Sequence, residues 1–478
     1  MYCLWAIVVC WQLSWAYDVH AQGGGWTPPV NLSDTMTKSW LPAACADSAG
    51  NVHVFWAEFV NPDSESSDTL YYRKWDGQNW SRPAAVLVTG GPASQAQNAV
   101  WYPACAADDS GVLHVVWTDT HSVYYSQAAI DGEPWRPQAW SKPKAIYPNR
   151  GNFGSFPDIA VDPQGSIHVV FSTYDQSYHI RSDDGGGKWS VPVSIFDTPN
   201  VASRPRISIE ENGTMHVGIS EVDFTDSALN VVYARSTDGG ETWDDVNPLS
   251  LDTEARYPVR MIARREPGGA LRAIWPDNIM GVFYERRSMD EGDSWGKPET
   301  IVQGSPGFGW PALASDSGGV AHLLVSVGGE IEHRAWEGSV WSSPDNISRT
   351  PTSSDMPILV VTNGNRLHAI WMEWVEGQRD VHDEGNMEIF YSTETVSAPF
   401  VAGREFSPVP TPSAPAVTET PTREAPTAVP PAATGTPPRV NRLRAGSAGP
   451  SAVVLTGLAS AVVVLGLVVG WSLRRRRV

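Results

Sequence analysis

Three short stretches of this chain share the pattern Ser-x-Asp-x-Gly-x-x-Trp, and each follows a run of alternating apolar residues. They end at Trp189 (IRSDDGGGKW), at Trp243 (YARSTDGGETW) and at Trp295 (ERRSMDEGDSW). Ser and Asp side chains accept hydrogen bonds from turn N–H groups, and glycine adopts the positive φ that tight turns require. The tryptophan then returns as an apolar side chain on the next strand. The pattern predicts β-hairpins that recur along the chain.

A second repeat alternates with the first: an x-Pro dipeptide opens an apolar strand, and a histidine follows eleven residues later. The prolines are Pro42, Pro103, Pro157, Pro205, Pro258, Pro311 and Pro357; the histidines are His53, His114, His168, His216, His322 and His368, with Arg272 in the fifth repeat. The prolines lie on average about 52 residues apart, which suits a four-stranded blade. Because the histidines recur at one structural position, we expect them to pack and form hydrogen bonds rather than to bind a ligand.

The two ends of the repeat region complement each other. The seventh repeat ends near Tyr391 without a Trp-x-x-Pro strand, whereas residues 26–33 carry such a strand before the first repeat. An N-terminal strand that completes the last blade would close the ring and remove the open sheet edge. The sequence therefore predicts an all-β fold, a seven-bladed β-propeller closed by its N-terminal strand.

Both ends of the chain have the composition of membrane-targeting segments. Residues 451–473 form an uncharged apolar run that predicts a single transmembrane helix, and the basic tail of residues 474–478, which begins with four arginines, predicts a cytoplasmic C-terminus. Residues 1–21 are interpreted as a signal peptide, with an uncleaved signal anchor as the alternative. The propeller is assigned to residues 22–404 and a Pro/Thr/Ala-rich stalk to residues 405–449. We expect a single-pass cell-membrane protein with an extracellular propeller.

The charge, the spacing of possible metal ligands and the cysteines limit which partners and cofactors the sequence predicts. A formal net charge of −19 disfavours binding to nucleic acid. No segment has the spacing of metal ligands, so neither a metal nor another cofactor is expected, and we expect a monomer. Cys45 and Cys105 lie three and two residues after their prolines. Strand alternation would point them to opposite faces, which disfavours a disulfide between them.

The face of the ring opposite the Ser-x-Asp turns is where we expect a ligand. Candidate binding residues at this face are Trp40, Trp101, Tyr102, Trp310 and Arg204, next to the strand prolines, and Glu58 and Glu373, at the ends of second strands. Aromatic rings stack on sugar rings, and carboxylates bind hydroxyl groups, so this combination favours a carbohydrate ligand. The alternative is that the carboxylates cap strands and satisfy loop N–H groups.

The Ser-x-Asp-x-Gly-x-x-Trp turns resemble the Asp boxes of the sialidase and BNR-repeat superfamily. That resemblance implies a β-propeller, with a six-bladed sialidase-like ring as the alternative blade count. It also implies an arginine that binds the substrate carboxylate and a tyrosine nucleophile with an acidic acid/base group. Arg256-Tyr257-Pro258 is similar to the family's Arg-Ile-Pro segment. The catalytic candidates that follow are Arg256, Tyr257, Asp277, Glu221 and Asp119.

Three functional hypotheses remain open from the sequence. The first is a surface-anchored propeller that recognises an extracellular glycan or glycoconjugate at the mouth of the ring. The second is an exo-sialidase-like glycoside hydrolase. The third is a non-catalytic protein-interaction scaffold. Whether the protein is an enzyme is not decided by its motifs.

Overall fold

A computed structural model describes residues 25–60, 67–88, 99–119, 121–148, 155–173, 176–195, 201–222, 228–244, 247–250, 262–265, 269–277, 281–304, 310–379, 385–404 and 406. These residues form seven four-stranded antiparallel sheets in chain order, which confirms the all-β, seven-bladed propeller. Within these ranges, no helix is long and apolar enough to cross a membrane. The segments assigned to a signal peptide and a transmembrane helix, and all of the stalk except Phe406, lie outside them.

The strands of the first four blades follow a short N-terminal strand, β1 (Val30–Asn31). Blade 1 contains β2 (Ser39–Ala46), β3 (Val52–Glu58), β4 (Thr69–Trp75) and β5 (Ala84–Val88). Blade 2 contains β6 (Trp101–Ala107), β7 (Val112–Thr118), β8 (Val123–Ala129) and β9 (Lys144–Tyr147), with a 3-10 helix at Pro137–Ala139. Blade 3 contains β10 (Ser155–Val161), β11 (Ile167–Ser172), β12 (Ser177–Ser182) and β13 (Val193–Ser194). Blade 4 contains β14 (Val201–Ile209), β15 (Met215–Val222), β16 (Ala228–Ser236) and β17 (Asn247–Pro248).

The remaining strands form three further blades. Blade 5 contains β18 (Ile262–Arg265), β19 (Leu271–Asp277), β20 (Val282–Ser288) and β21 (Glu299–Gln303). Blade 6 contains β22 (Ala312–Ser315), β23 (Ala321–Val327), β24 (Glu330–Ala335) and β25 (Asp345–Asn346). Blade 7 contains β26 (Ser354–Thr362), β27 (Arg366–Arg379) and β28 (Gly385–Thr395). In each blade the first strand is innermost, so the first-to-second and third-to-fourth turns share one face of the ring. We name this the hairpin face and the opposite one the mouth face.

The ring is closed by its N-terminal strand, as the sequence predicts. Strand β1 pairs antiparallel with β28, with Val30 opposite Tyr391, and becomes the fourth strand of blade 7. The Thr27 N–H donates to the carbonyl of Thr393 at 2.9 Å, and the Leu32 N–H donates to the carbonyl of Ile389. The closure leaves no open edge between the two ends of the repeat region.

A hydrogen-bonded relay near the hairpin face recurs in the blades. In blade 1 the Nδ1 atom of His53 lies 2.8 Å from the Tyr72 hydroxyl, and its Nε2 atom lies 3.0 Å from Asp47. The other relays are His114 with Tyr125 and Asp108, His168 with His179 and Asp162, His216 with Tyr233 and Glu210, His322 with His333 and Asp316, and His368 with Tyr391 and Thr362. The prediction that these histidines pack and form hydrogen bonds is confirmed.

Each relay ends on a tryptophan of the next blade. In six of the seven blades, the tryptophan before the fourth strand meets a third-strand ring of the preceding blade, nearly perpendicular to it: Trp26 on His333, Trp80 on Tyr391, Trp140 on Tyr72, Trp189 on Tyr125, Trp243 on His179 and Trp295 on Tyr233. An edge of an aromatic ring directed at the face of another is a favourable arrangement. The tryptophans therefore join each blade to its neighbour.

Blade 5 replaces the histidine and the ring by an ion pair. Arg272 and Glu285 are each 1% exposed and form a salt bridge. The Trp341 indole N–H donates to Glu285 at 3.2 Å, and the guanidinium carbon of Arg272 lies 3.9 Å from the ring centroid of Trp336. The tryptophan contact is thus kept at this interface, although its partner is charged.

A disulfide joins Cys45 to Cys105, and the expectation against it was wrong. The two cysteines do point to opposite faces of equivalent strands, because Cys45 pairs with His53 whereas Cys105 lies one residue out of that register. In a propeller, however, one face of a blade packs against the opposite face of the next. Opposite faces on neighbouring blades therefore meet, and the two Cα atoms are 5.8 Å apart.

The chain after blade 7 crosses the hairpin face as a strap, residues 396–404 and Phe406. The Val401 N–H donates to the carbonyl of Asn363 in blade 7, and the Arg404 N–H donates to the carbonyl of Ser48 in blade 1. Phe406 then packs against Gly111 in blade 2. The strap therefore spans the closure of the ring and carries the chain to the face opposite the mouth.

Candidate ligand-binding site at the mouth of the ring

The first strands line a central channel of about 520 Å³, whose lining at the mouth face includes Leu41, Tyr102 and Met356. Its lining is largely Ala, Pro, Leu, Ile and Val, and the charged residues among those that line it are Asp158 and Arg206. These two form an ion pair at 3.2 Å, and Asp158 also accepts the Ile207 N–H at 3.0 Å. Because their charges compensate each other, the channel itself is a poor candidate for binding a charged group.

The rim of the channel is formed by a repeated irregularity in the first strands. In five blades the pairing of the first two strands shifts at the x-Pro dipeptide. The residue before the proline has a φ of 50–56° in each: Leu41, Tyr102, Phe156, Arg204 and Met356. Positive φ is unfavourable for such side chains, and a bulge redirects the side chain it carries. Backbone strain of this kind is concentrated at binding sites, so this rim is a candidate binding site.

Aromatic side chains form a continuous arc on the mouth face from blade 1 to blade 3. The ring centroids of Phe59 and Trp40 are 5.4 Å apart, and those of Trp40 and Trp101 are 4.8 Å apart. Trp101 lies 6.1 Å from Tyr102, which lies 4.3 Å from Phe156. Trp40, Trp101, Tyr102 and Phe156 are half-buried, whereas Phe59 is buried. We call these five residues the aromatic arc; its four half-buried rings present apolar surface to a ligand.

Each end of the aromatic arc carries a cation. The Lys38 ammonium lies 5.6 Å from the ring centroid of Trp40 and 5.4 Å from that of Phe59. The Arg204 guanidinium lies 4.8 Å from the ring centroid of Phe156. A cation over a ring is attracted by the negative face of the π system. The arc and its two cations thus form one connected surface across blades 1 to 4.

Two of the predicted carboxylates, Glu58 and Glu373, are occupied by the links between blades. Both are buried, and each accepts hydrogen bonds from three hydroxyls and one indole N–H. The donors to Glu58 are Thr35, Thr37, Ser39 and Trp56, and the donors to Glu373 are Thr350, Thr352, Ser354 and Trp371. Such complete satisfaction is typical of a structural carboxylate. These contacts assign both residues to strand and linker capping, the alternative considered from the sequence.

The catalytic candidates fall into two groups. Asp119 is buried and accepts the N–H groups of His121 and Ser122 at 2.9 and 2.7 Å, which fixes its own turn. Glu221 is the last residue but one of β15, Asp277 is the last residue of β19, and both are buried; the Asn230 amide donates to Glu221 at 2.8 Å.

The second group, Arg256 and Tyr257, lies outside the described residues, so the predicted arginine site is untested. Trp310, a predicted binding residue, lines the channel beside Met356 and is half-buried.

Phe59, Phe156 and Lys38 were not among the predicted site residues. Phe156 stands before a strand proline like Tyr102, so the repeat alone places it at the rim. Lys38 and Phe59 lie next to Trp40 and Glu58 in the chain, and the Phe59 N–H donates to the Lys38 carbonyl at 3.1 Å. This bond extends the β2–β3 ladder by one pair, which a sequence pattern does not show.

Titratable groups at this face do not form a metal site within the described ranges, where no cluster of three His, Cys, Asp or Glu side chains occurs. Burial raises the pKa of Tyr124, and the nearby charge of Asp119 raises it further. Burial likewise raises the pKa of Glu388 to about 7, although the Ser33 hydroxyl donates to it.

Comparison with known proteins supports the fold. Neither a protein-family profile nor a curated protein sequence matches the chain. A protein of unknown function from Dyadobacter fermentans matches with a TM-score of 0.51 and 16% identity, covering 78% of this chain and 100% of that one. Polysaccharide lyase Uly1 matches with a TM-score of 0.52 and 11% identity over 74% and 89%. The Hadza microbial sialidase Hz136 matches with a TM-score of 0.45 and 17% identity over 72% and 76%. At these identities, the likeness to the Dyadobacter protein and to Uly1 shows a shared fold alone.

Proposed function

We propose that this protein is a cell-surface propeller that binds an extracellular carbohydrate on the mouth face of its ring. The observation that carries the proposal is the aromatic arc, whose four half-buried rings lie at the rim of the channel with the buried Phe59 at one end. The faces of sugar rings present C–H groups that pack on aromatic rings, and their hydroxyls then remain available to polar neighbours. The strained rim positions of Tyr102 and Phe156 support a binding function for the same surface.

The proposal includes the membrane anchor that the sequence predicts at residues 451–473. The strap carries the chain to the hairpin face before the stalk begins. A stalk attached on that side would leave the mouth face accessible to soluble or neighbouring-cell glycans. The proposal uses the sialidase-like fold as a scaffold and does not include hydrolysis. Two residues that would carry hydrolysis, Arg256 and Tyr257, lie outside the described residues.

The test is binding of the full-length chain, in a sugar-free detergent, to an array of immobilised oligosaccharides and polysaccharides. We expect specific binding that Trp101→Ala weakens at least about tenfold, because interface aromatics dominate binding energies. Met289→Ala, which removes an exposed side chain from a hairpin-face turn, is the matched control and should bind normally. Circular dichroism and thermal unfolding confirm that both variants are folded.

Two results would overturn the proposal. One is the absence of any carbohydrate bound by the folded protein. The other is binding that Trp101→Ala leaves unchanged, which would place the ligand elsewhere. Incubation of the protein with the glycans that it binds, followed by mass spectrometry of the glycans, distinguishes binding from hydrolysis. Release of a terminal sugar would support the glycoside hydrolase hypothesis in place of the binding proposal.

A further inference from the structure

Resting on the proposed function, we infer that blade 7 completes the carbohydrate-binding site and that Trp374 is a further ligand-binding residue beside the aromatic arc. Blade 7 lies next to blade 1, because its sheet is closed by the strand that precedes blade 1 in the chain. The site then extends over four consecutive blades, with one aromatic side chain of blade 7 added to the rings of blades 1 to 3.

The second and third strands of blade 7 are longer than those of the other blades. β27 has 14 residues and β28 has 11, whereas their counterparts have six to eight and six to nine. In blade 1 the second strand ends at Glu58, which pairs with the first residue of the first strand. The equivalent residue in blade 7 is Glu373, and β27 continues beyond it to Arg379. Blade 7 therefore extends past the rim on the mouth face as a two-stranded arm.

Trp374 is the first residue of this arm and occupies the position that Phe59 has in blade 1. Each residue directly follows the buried glutamate, and each N–H donates to the link that enters its blade. The Phe59 N–H donates to the carbonyl of Lys38 at 3.1 Å, and the Trp374 N–H donates to the carbonyl of Ser353 at 2.9 Å. Phe59 is buried against Trp40 at one end of the arc, whereas Trp374 is half-buried. The same structural position thus carries an aromatic side chain in both blades, and the one in blade 7 is more accessible.

One apolar cluster connects Trp374 to the aromatic arc. Trp374 pairs with Met387 on the neighbouring strand. Met387 and the rim residue Met356 are buried members of a cluster against which Trp374, Trp40 and Trp101 also pack. Met356 has a φ of 54°, like the other strained residues of the rim. Trp374 and the rings of blades 1 and 2 therefore border the same apolar cluster at the mouth.

The side chain of Trp374 has the properties of a ligand-binding residue rather than those of a core residue. Trp371, three residues earlier on β27, is fully buried, and its indole N–H donates to Glu373 at 2.9 Å. Trp374 is only half-buried, and its indole N–H has no acceptor among the residues that the structure describes. A half-exposed aromatic ring can stack on a sugar ring, and an indole N–H can donate to a sugar hydroxyl.

The experiment measures the affinity of the full-length chain, in the same sugar-free detergent, for a carbohydrate that the array selects. Trp374→Leu keeps an apolar side chain but removes the ring and its N–H, and Trp374→Phe keeps a ring. The matched control is Trp135→Leu, because Trp135 is 40% exposed in the β8–β9 connection on the hairpin face. On the wild type, mass spectrometry maps the oxidation of tryptophans with and without the carbohydrate, which reports contact independently of any variant.

We expect Trp374→Leu to bind about tenfold more weakly than the wild type, because aromatic contacts dominate binding energies. Trp374→Phe should retain part of the affinity, and Trp135→Leu should bind normally. The carbohydrate should slow the oxidation of Trp374 but not that of Trp135.

Two results would overturn this inference: unchanged affinity in a folded Trp374→Leu variant, or oxidation of Trp374 that the carbohydrate does not slow. In either case the proposed function stands if Trp101→Ala still weakens binding. Absence of binding to every carbohydrate would overturn both.

Discussion

The two faces of the ring are built by the same strands, but they differ in what repeats. On the hairpin face, a histidine–ring relay recurs in six blades and a tryptophan contact between blades recurs with it, and in the Ser-x-Asp turns the Ser and Asp side chains accept hydrogen bonds from N–H groups of the same turn. On the mouth face, the arc occupies only blades 1 to 3, and the side chains before the prolines change from blade to blade. A feature needed to hold each pair of blades together recurs at each interface. A binding surface needs to occur once.

The largest expected effect on the hairpin face comes from acid. Burial lowers the pKa of His53, His168 and His322, and it lowers the pKa of His179, His333 and His368 to about 3. In the unfolded chain these histidines bind protons below about pH 6.5, whereas in the folded chain they stay neutral to lower pH. The free energy of unfolding therefore falls as the pH falls. We expect a loss of roughly 5 kcal/mol or more between pH 7 and 4, measured by urea unfolding.

A matched variant sharpens this prediction. His333→Tyr creates the histidine–tyrosine pair found in blade 1 and removes one buried histidine. Its free energy of unfolding should fall less on acidification than that of the wild type. A free energy that stays constant from pH 7 to 4 would contradict the assignment of these histidines to a neutral relay.

The ion pair of blade 5 should show the next largest effect. Arg272→Met leaves Glu285 buried without its cation, and breaking such a pair typically costs about 3–5 kcal/mol. The double variant Arg272→His/Glu285→Tyr installs the pair used in blades 1, 2, 4 and 7 and should regain most of this loss. Chemical unfolding of the single and double variants gives the comparison. Equal instability of the two would show that blade 5 is not interchangeable with its neighbours.

The glycines of the Ser-x-Asp turns test how closely the blades approach. A Cβ on Gly186 would lie 2.4 Å from the Tyr125 ring of the preceding blade, whereas one on Gly185 would meet nothing within 4 Å. Both residues have positive φ, at 86° and 69°. Gly185→Ala should therefore cost only the backbone penalty of about 1–2 kcal/mol. Gly186→Ala adds a steric clash and should cost about 3 kcal/mol or more. Equal losses in thermal or urea unfolding would mean that the Tyr125 contact is unimportant.

The smallest effect, with the opposite sign, is expected on the mouth side. Glu388 has a pKa raised to about 7 by burial, assisted by the charges of Glu58 and Asp34. A raised pKa in an acid means that stability is greatest below the ordinary pKa near 4.5 and is lost as the pH rises through 7. Glu388→Gln should remove this loss, roughly 1–3 kcal/mol, so the variant gains stability relative to the wild type as the pH rises from 5 to 8. The same relative stability at both pH values would contradict the assignment.

The fold could be predicted because its signals are periodic. Seven x-Pro strand starts, most of them followed by a histidine in the second strand, indicate seven blades. The additional N-terminal strand supplies the fourth strand that the seventh repeat lacks, which indicates how the ring closes. The disulfide could not be predicted by the same means, because alternation was considered within a strand rather than between facing blades. Cys45 and Cys105 meet because opposite faces of neighbouring blades pack together.

The candidate site was only partly predictable. The repeat predicts that Trp40, Trp101 and Tyr102 lie at the rim, because they stand next to the strand prolines. It does not predict Phe59 and Lys38, which reach the arc through contacts between strand ends. Glu58 and Glu373 looked available for a ligand because their hydroxyl donors lie about twenty residues away. A repeated segment, NLSDTMTKS at residues 31–39 and NISRTPTSS at residues 346–354, could have revealed those donors.

The central claim is that the mouth face binds carbohydrate while the hairpin face holds the ring together. Hydrogen–deuterium exchange of the full-length chain, with and without a polysaccharide selected from the array, tests it most directly. We predict slower exchange around residues 38–41, 101–104, 155–159 and 203–206, and unchanged exchange in the turns at residues 182–189, 236–243 and 288–295. Protection confined to those turns, with none at the mouth, would contradict the account.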